Sequence, residues 1–272
     1  MTIPQRTDTL PELMSFSEFL AHQCAKGRIT NWPLFSDPVR AFFTPALMTR
    51  VDQVVPGWKK MASYADQQTL IHVMGVITAL LMLPEFKQAD IAQKTALVWM
   101  VLFHDVAKIA QPGKHDYLHG FRSAAITGKS LAALGFPTTH DFSEFVDSWY
   151  ELTYNAILIR DDVGEAVQDN RKLPEITNGI DHMYGPKSPA GLIIKAVLLH
   201  ISIPIDPGYP IVAPLNDDEL QHYIDPASFP LVKTMALVDT DAWNLFDPEN
   251  RQTQRQRTLA FFDRLAARIG MD

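Results

Sequence analysis

The chain has 272 residues, 47% of them hydrophobic and 20% charged, a composition typical of a globular protein with one large domain or two modest ones. Its formal net charge of −7 disfavours a non-specific nucleic-acid binder. Cys24 is the only cysteine, which excludes an internal disulfide and a cage of thiolate ligands. A single cysteine is also compatible with a reducing, cytoplasmic location, which is the location we predict.

The sequence predicts neither a secretory signal nor a membrane-spanning segment. Residues 1–8 lack a basic start followed by an apolar stretch, so no secretory signal is predicted. The apolar run over residues 70–83 stops at Pro84 and is too short to cross a bilayer. We therefore expect no membrane-spanning segment.

Residues 1–60 are predicted to form a helical extension that packs on the main core, with helical periodicity over 11–20 and again over 39–55. The first strong helix follows over residues 66–83 and is apolar on nearly all sides, which predicts burial. His72 is the only polar side chain in the middle of that apolar run. A buried histidine of this kind is either bonded to a backbone carbonyl or used as a ligand.

A second apolar run, residues 96–103, ends in His104 and Asp105. No residue in the run breaks a helix, so both side chains are expected on adjacent helical positions, where an imidazole and a carboxylate can reach one cation. Lys108 follows Asp105 by three residues and is expected near the same face, one turn on.

Two further histidines, His115 and His119, come shortly before a helix predicted to run to about residue 134. His119 lies at or near the first turn of that helix, and Arg122 follows one turn later. The next helix is predicted over residues 142–160. Residues 161–189 contain many glycines and prolines and are predicted to form an extended loop or a set of short pieces, of the kind that often binds ligands. His182 and Lys187 in this loop are weaker candidates for substrate contact.

The C-terminal third predicts three more helices, over residues 190–203, 234–246 and 252–269, with a proline-rich connection over residues 207–214. His200 lies inside the first apolar run. The second contains Asp239, on an apolar face, and Asp241, on a more mixed one. A carboxylate on an apolar face is costly unless it meets a cation, so we expect Asp239 to be buried and to act as a ligand, with Asp241 as the alternative.

Several apolar helices thus each carry a side chain that can bind metal. Nitrogen and carboxylate ligands without cysteine suit Mn, Fe, Mg, Zn, Ni or Co, and such sites lie among facing helices of a bundle. There is no Gly-rich phosphate loop and no nucleophile elbow. The candidate metal ligands are His72, His104, Asp105, His119, His200 and Asp239.

The order of a separated His, a His-Asp doublet and a separated Asp resembles the HD-domain metal-dependent phosphohydrolase superfamily. The segment from Leu102 to Lys108 is close to that family's apolar-apolar-His-Asp-apolar-Gly-Lys string, with Ala107 where Gly is common. The segment from His119 to Ala124 resembles the start of the next helix in many members. The likeness covers residues 65–245 and implies an all-α fold, an HD-domain helical bundle with extra N- and C-terminal helices.

The resemblance implies three segments: the extension over 1–60, an HD-type domain over 61–250 with an insertion at about 135–190, and a C-terminal helix over 251–272. It also implies one or two divalent ions. The first would be held by His72, His104, Asp105 and Asp239, and the second by Asp105, His119 and His200. Asp105 would bridge the two ions, and His115 is the alternative to His119.

The reaction implied by the resemblance is hydrolysis of a phosphomonoester or phosphodiester, of a nucleotide in our first expectation, by metal-activated water. Asp105, Lys108 and Arg122 are the predicted catalytic residues, with Lys108 and Arg122 binding phosphate oxygens. Two alternatives remain open. One is a di-iron oxygenase of the same superfamily, similar to inositol oxygenase, that acts on a small polyol or phosphonate, and the other is a metal-binding regulatory module without turnover.

Overall fold

Helices dominate the computed structural model, which describes residues 10–160, 164–205 and 215–271. The all-α class predicted from the sequence is confirmed, with 69% helix and 4% strand. The helices are α1 Pro11–Ala25, α2 Trp32–Phe42, α3 Pro45–Val54, α4 Trp58–Met61, α5 Gln68–Met82, α6 Pro84–Gln88, α7 Ile91–Phe103, α8 His119–Ala133, α9 Phe142–Tyr154, α10 Leu173–Tyr184, α11 Pro189–Leu199, α12 Asp217–Tyr223, α13 Phe229–Trp243 and α14 Pro248–Arg268. Two short 3-10 helices, Ala65–Gln67 and Asn170–Lys172, and two strands, β1 Ile157–Arg160 and β2 Glu165–Gln168, complete the described elements.

Four apolar helices, α5, α7, α11 and α13, form the centre of the molecule and pack against one another, and α8 packs on α11. Helices α5 and α13 approach each other closely at Gly75, where a Cβ atom would lie 3.5 Å from the Cβ of Ala242. This approach brings the N-terminal half of α5 against the C-terminal half of α13. His72 and Asp239 lie on those halves, so the packing brings the two side chains together.

The terminal helices cover this centre. Helices α1 and α2 pack on α5, and α14 packs on α13. Side-chain caps define where several of these helices begin: Asn31 accepts a hydrogen bond from the backbone of Leu34 at the start of α2, and Thr44 accepts one from Leu47 at the start of α3.

The prediction of one helix over residues 142–160 is wrong at its C-terminal end. Helix α9 stops at Tyr154, and residues 157–160 form β1, which pairs with β2 in antiparallel register from Ile157 opposite Gln168 to Arg160 opposite Glu165. The hairpin contacts the loop before α8 through a hydrogen bond that the backbone N–H of Gln168 donates to the carbonyl of Tyr117 (3.2 Å).

Of the two alternatives predicted for residues 161–189, the described residues form a set of short pieces rather than an extended loop. Residues 165–168 form β2, and residues 173–184 form α10. Pro174 stands in the first turn of α10, where its missing N–H is not needed. Gly179 lies inside α10, where a Cβ would be 2.2 Å from Cδ1 of the buried Trp149. The proline and the glycine are therefore parts of a helix rather than breaks in one.

Three predicted features concern residues outside the described part of the chain: the N-terminal segment 1–8, residues 161–163 of the predicted loop, and the proline-rich connection 207–214. Within the described part, no helix combines the length and the apolar character that crossing a bilayer requires.

Candidate metal centre

Six side chains predicted as ligands converge in the structure, from five separate parts of the chain. They form two groups of three, and within each group the ligand atoms lie within 4.8 Å of one another. The first group comprises His72, His104 and Asp239, and the second comprises Asp105, His119 and His200.

Two of the histidines occupy the same position at the ends of their helices. Helix α7 ends at Phe103 with His104 as its C-cap, and α11 ends at Leu199 with His200 as its C-cap. Each imidazole donates its Nδ1–H to the carbonyl three residues earlier, His104 to Val101 (2.8 Å) and His200 to Val197 (2.6 Å). A neutral ring held in this way turns the lone pair of its Nε2 towards the cluster. His104 and Asp105 therefore lie at the end of a helix, not within one as the sequence predicted.

The loop between α7 and α8 is shaped by Asp116. Its carboxylate accepts hydrogen bonds from the backbone N–H of Ile109 (2.8 Å) and of Leu118 (3.0 Å). Its carbonyl accepts the Nδ1–H of His119, the first residue of α8. The orientation of His119 thus depends on Asp116, a residue that the sequence analysis did not select. The spacing of three residues before a candidate histidine is the signal that could have indicated it.

The first group is built around His72 on α5. Its Nε2 lies 2.8 Å from Oδ1 of Asp239 and 3.7 Å from Oδ2 of Asp105. Oδ2 of Asp105 is also 3.6 Å from Nε2 of His104. The four residues therefore surround one point with two nitrogen and two carboxylate ligand atoms, a set that suits a divalent transition metal.

The second group has Oδ1 of Asp105 at its centre. This oxygen lies 3.1 Å from Nε2 of His119 and 3.7 Å from Nε2 of His200, and the two nitrogen atoms are 3.1 Å apart. Because both rings donate from Nδ1, their neutral forms carry a lone pair at Nε2. Two lone pairs and a carboxylate oxygen face one another at these distances, which is repulsive unless a cation lies between them.

Asp105 takes part in both groups, one oxygen in each. Its side chain is 1% exposed, and Oδ2 also accepts a hydrogen bond from Nζ of Lys108 (2.7 Å). Burial by itself would raise the pKa of Asp105, but Lys108, His104 and His119 together hold it well below its ordinary value. Asp105 is therefore an ionised, fully buried carboxylate, which is the form that binds metal.

Two further ligands, His104 and Asp239, are also in metal-binding form. Burial lowers the pKa of His104 to about 4, against the opposing charges of Asp105 and Asp239, so its ring is neutral at neutral pH. Burial would raise the pKa of Asp239, but His72, whose Nε2 lies 2.8 Å from its Oδ1, lowers it by more, and the net shift is downward. Neutral imidazole and ionised carboxylate are the states that a cation requires.

Unsatisfied polar atoms provide the test of whether the residues fit a metal ion. In the described part of the chain, Nε2 of His72, Nε2 of His104 and Oδ1 of Asp105 are buried and make no hydrogen bond. Buried polar atoms without partners are costly and uncommon in folded proteins. Here three of them lie together and all are good metal ligands. The two groups could therefore each hold a metal ion.

Asp239 rather than Asp241 belongs to the cluster, but the reason given from the sequence is wrong. The side chain of Asp239 is 30% exposed, whereas that of Asp241 is 6% exposed. Asp241 accepts a hydrogen bond from Nη1 of Arg255 on α14 (2.8 Å). The mixed helical face is buried because a second helix brings a cation to it, a partner that the pattern of α13 alone does not reveal.

The remaining candidates lie elsewhere. In the described residues Arg122 makes its contact with Tyr154, whose ring centroid is 5.1 Å from the guanidinium carbon. His115 is exposed beside Tyr117, so it does not replace His119. His182 lies on α10 against Phe145 (ring centroids 4.8 Å apart), and Lys187 is exposed beyond the end of that helix.

Trp243, on the last turn of α13, is a residue at the cluster that the sequence analysis did not select as a candidate. Its indole stacks on the imidazole of His72, with ring centroids 4.2 Å apart and planes 20° apart. His72 makes no hydrogen bond at Nδ1 to any described residue, so its ring is held by this stacking and by the 2.8 Å contact of Nε2 with Asp239. The spacing of four residues from Asp239, one helical turn, was the available signal.

Comparisons of the chain with protein-family models, with curated proteins and with solved structures give no match.

Proposed function

We propose that the protein is a metal-dependent phosphohydrolase that acts on a phosphomonoester or phosphodiester by attack of water. One observation carries the proposal: two groups of ligands share a buried carboxylate, Asp105, and the ammonium group of Lys108 lies beside it. Two adjacent cation sites with a side-chain cation at their edge suit a substrate with several anionic oxygens. The sequence resemblance to HD-domain phosphohydrolases supports the same reaction.

The residues that would hold the ions follow from the geometry. The first ion would bind His72, His104, Asp239 and Oδ2 of Asp105, and the second would bind His119, His200 and Oδ1 of Asp105. Divalent ions in such a pair supply hydroxide at neutral pH and neutralise phosphoryl oxygens. Ligands of nitrogen and oxygen suit Mn, Fe, Mg, Zn, Ni or Co.

The exposed fractions of the side chains define the side from which a substrate would enter. Asp105 and the four histidines of the two groups are exposed by 8% or less. Asp239 and Lys108 are more open, at 30% and 21%. Substrate would therefore approach over these two residues and reach the side of the first group.

Lys108 and Asp105 would act as a pair in binding the phosphoryl group. The ammonium group lies 2.7 Å from the carboxylate, and the Lys108 side chain is 21% exposed, so this three-donor group would donate to a phosphoryl oxygen while it stays beside Asp105. Asp105 fixes the position of that donor. The predicted contact of Arg122 with phosphate stays a prediction, since its guanidinium group lies on Tyr154.

The remaining parts of the proposal rest on the sequence. Nucleotides are the first substrates to test, a small phosphorylated molecule rather than nucleic acid is the expected partner, and a cytoplasmic location is expected from the single cysteine.

Phosphate release is the measurement that tests the proposal. Protein loaded with Mn²⁺ would be assayed on a panel of nucleotides, other phosphomonoesters and phosphodiesters, with His104→Ala as the inactive variant. His115→Ala is the matched control, because this histidine lies outside the two groups. We expect release by the wild type and by His115→Ala, and none above background from His104→Ala or after chelation.

Other outcomes would refute the proposal. Two iron ions per chain with O₂ uptake on a polyol or phosphonate, and no phosphate release, would identify an oxygenase. Bound metal without turnover of any substrate class would identify a regulatory module. Unchanged metal content in His104→Ala would refute the site itself.

A further inference from the structure

Trp243 is exposed to an unusual degree for a residue in contact with a buried cluster. Its relative exposure is 50%, although three other tryptophans, Trp58, Trp99 and Trp149, are exposed by 1% or less. Phe19, which is exposed to a similar degree at 49%, lies on α1 and stacks on Phe16 rather than on a candidate ligand. An open aromatic ring at a ligand site needs an explanation beyond core packing.

The geometry leaves part of the indole available to a ligand. One face of Trp243 stacks on His72, and the indole is larger than the imidazole, so it extends beyond the ring that it covers. Nζ of Lys108 lies 5.7 Å from the indole centroid. An anionic group bonded to Lys108 would therefore bring its organic substituent onto the indole.

We propose that Trp243 is a specificity-determining residue that binds a planar, aromatic organic group of the phosphate ester while Lys108 binds its phosphoryl oxygens. This inference rests on the proposed phosphohydrolase function and narrows its substrate class to esters whose aromatic group lies close to the phosphorus. Aromatic stacking is favourable, tolerant of ring type and worth about tenfold in affinity.

A purely structural role for Trp243 predicts different behaviour. If the indole only orients His72, its removal weakens binding at the first ligand group and affects all anions equally. If the indole also contacts substrate, its removal affects only ligands with an aromatic group. The two roles are separated by comparing ligands that share the phosphorus group and differ in the substituent.

The experiment uses phenylphosphonate and methylphosphonate, which contain no ester bond, as probes in calorimetric titrations of the Mn²⁺-loaded protein. In the wild type we expect phenylphosphonate to bind about tenfold more tightly than methylphosphonate. In Trp243→Ala the ratio should fall to about one, because phenylphosphonate then loses a contact that methylphosphonate never makes. Trp243→Phe should keep most of the ratio, and Phe19→Ala, the equally exposed control, should keep all of it.

Three results would overturn the inference. An unchanged ratio in Trp243→Ala, or no preference for phenylphosphonate in the wild type, refutes the aromatic contact and leaves the phosphohydrolase proposal intact. Equal loss of both phosphonates in Trp243→Ala, together with lower Mn²⁺ content, assigns Trp243 to positioning His72 alone. Failure of both phosphonates to bind the Mn²⁺-loaded wild type counts against the phosphohydrolase proposal and against this inference together.

Discussion

Replacing Asp105 with asparagine should remove both metal ions, whereas replacing Asp239 should remove only one. Oδ1 of Asp105 lies in the second group, and Oδ2 lies 3.7 Å from His72 and 3.6 Å from His104 in the first. Asp239 belongs to the first group alone and lies 2.8 Å from His72. Asparagine has nearly the same shape as aspartate, so the substitution removes the charge with little change in packing.

The expected effect is large. Loss of a hydrogen-bonding partner of a metal ligand already lowers metal affinity by about 10- to 100-fold, and loss of a ligand itself should cost at least that much. For Asp105→Asn this loss applies at both groups. In the metal-free protein the same change also replaces the charge-assisted bond to Lys108, which should lower the free energy of unfolding by about 2 kcal/mol.

Metal content after dialysis against limiting Mn²⁺, measured by mass spectrometry, is the assay. Asp241→Asn is the matched control, since Asp241 lies two residues after Asp239 on α13 but pairs with Arg255. We expect two ions per chain in the wild type and in Asp241→Asn, about one in Asp239→Asn, and fewer than one in Asp105→Asn. Loss of a single ion in Asp105→Asn, or of both in Asp239→Asn, would show that Asp105 does not join the two groups.

Three further predictions concern pH, packing and thiol chemistry. The pKa of His104 falls from 6.5 to about 4 on folding, so the unfolded chain binds this proton at a higher pH than the folded protein does. The metal-free protein should therefore lose stability as the pH falls through that range. A free energy of unfolding in urea that is no smaller at about pH 4.5 than at about pH 7 would contradict this. Gly179→Ala should destabilise the protein by about 1–3 kcal/mol in thermal denaturation, because a Cβ there would lie 2.2 Å from the buried Trp149, and an unchanged melting temperature would show that α10 can shift. Burial raises the pKa of Cys24 from 9.0 to about 11, so alkylation at about pH 8 should be about 100-fold slower in the native than in the urea-unfolded protein, and equal rates would disprove the burial.

The ligands that could be predicted from the sequence share a visible feature. His72, His104 and His200 are each the polar exception within an apolar run, and burial of such a side chain demands a partner. Helical periodicity likewise located α5, α7, α11 and α14 to within a few residues. Both signals are local, so each can be recognised within a single segment of the sequence.

The features that could not be predicted depend on contacts between segments. Asp241 is buried because Arg255 comes from another helix, and Gly179 is tolerated inside α10 because Trp149 fills the space beside it. Helix α9 ends at Tyr154 without a glycine or proline. Its apolar pattern therefore continues into β1, and the sequence predicts a single element there. The pairing with β2 is what makes residues 157–160 a strand rather than a continuation of α9.

The ligands are drawn from residue 72 to residue 239, and this separation affects how the protein matures. No fragment of the chain that ends before α13 contains the complete first group, so tight metal binding must follow folding rather than guide its early steps. Bound metal then links the two halves of the polypeptide, and it stabilises the folded state in proportion to the logarithm of its free concentration. Opening motions that separate α5 from α13 should accordingly be slowest where the concentration of the ion is high. The rate of hydrogen exchange in these two helices should therefore fall when the ion binds.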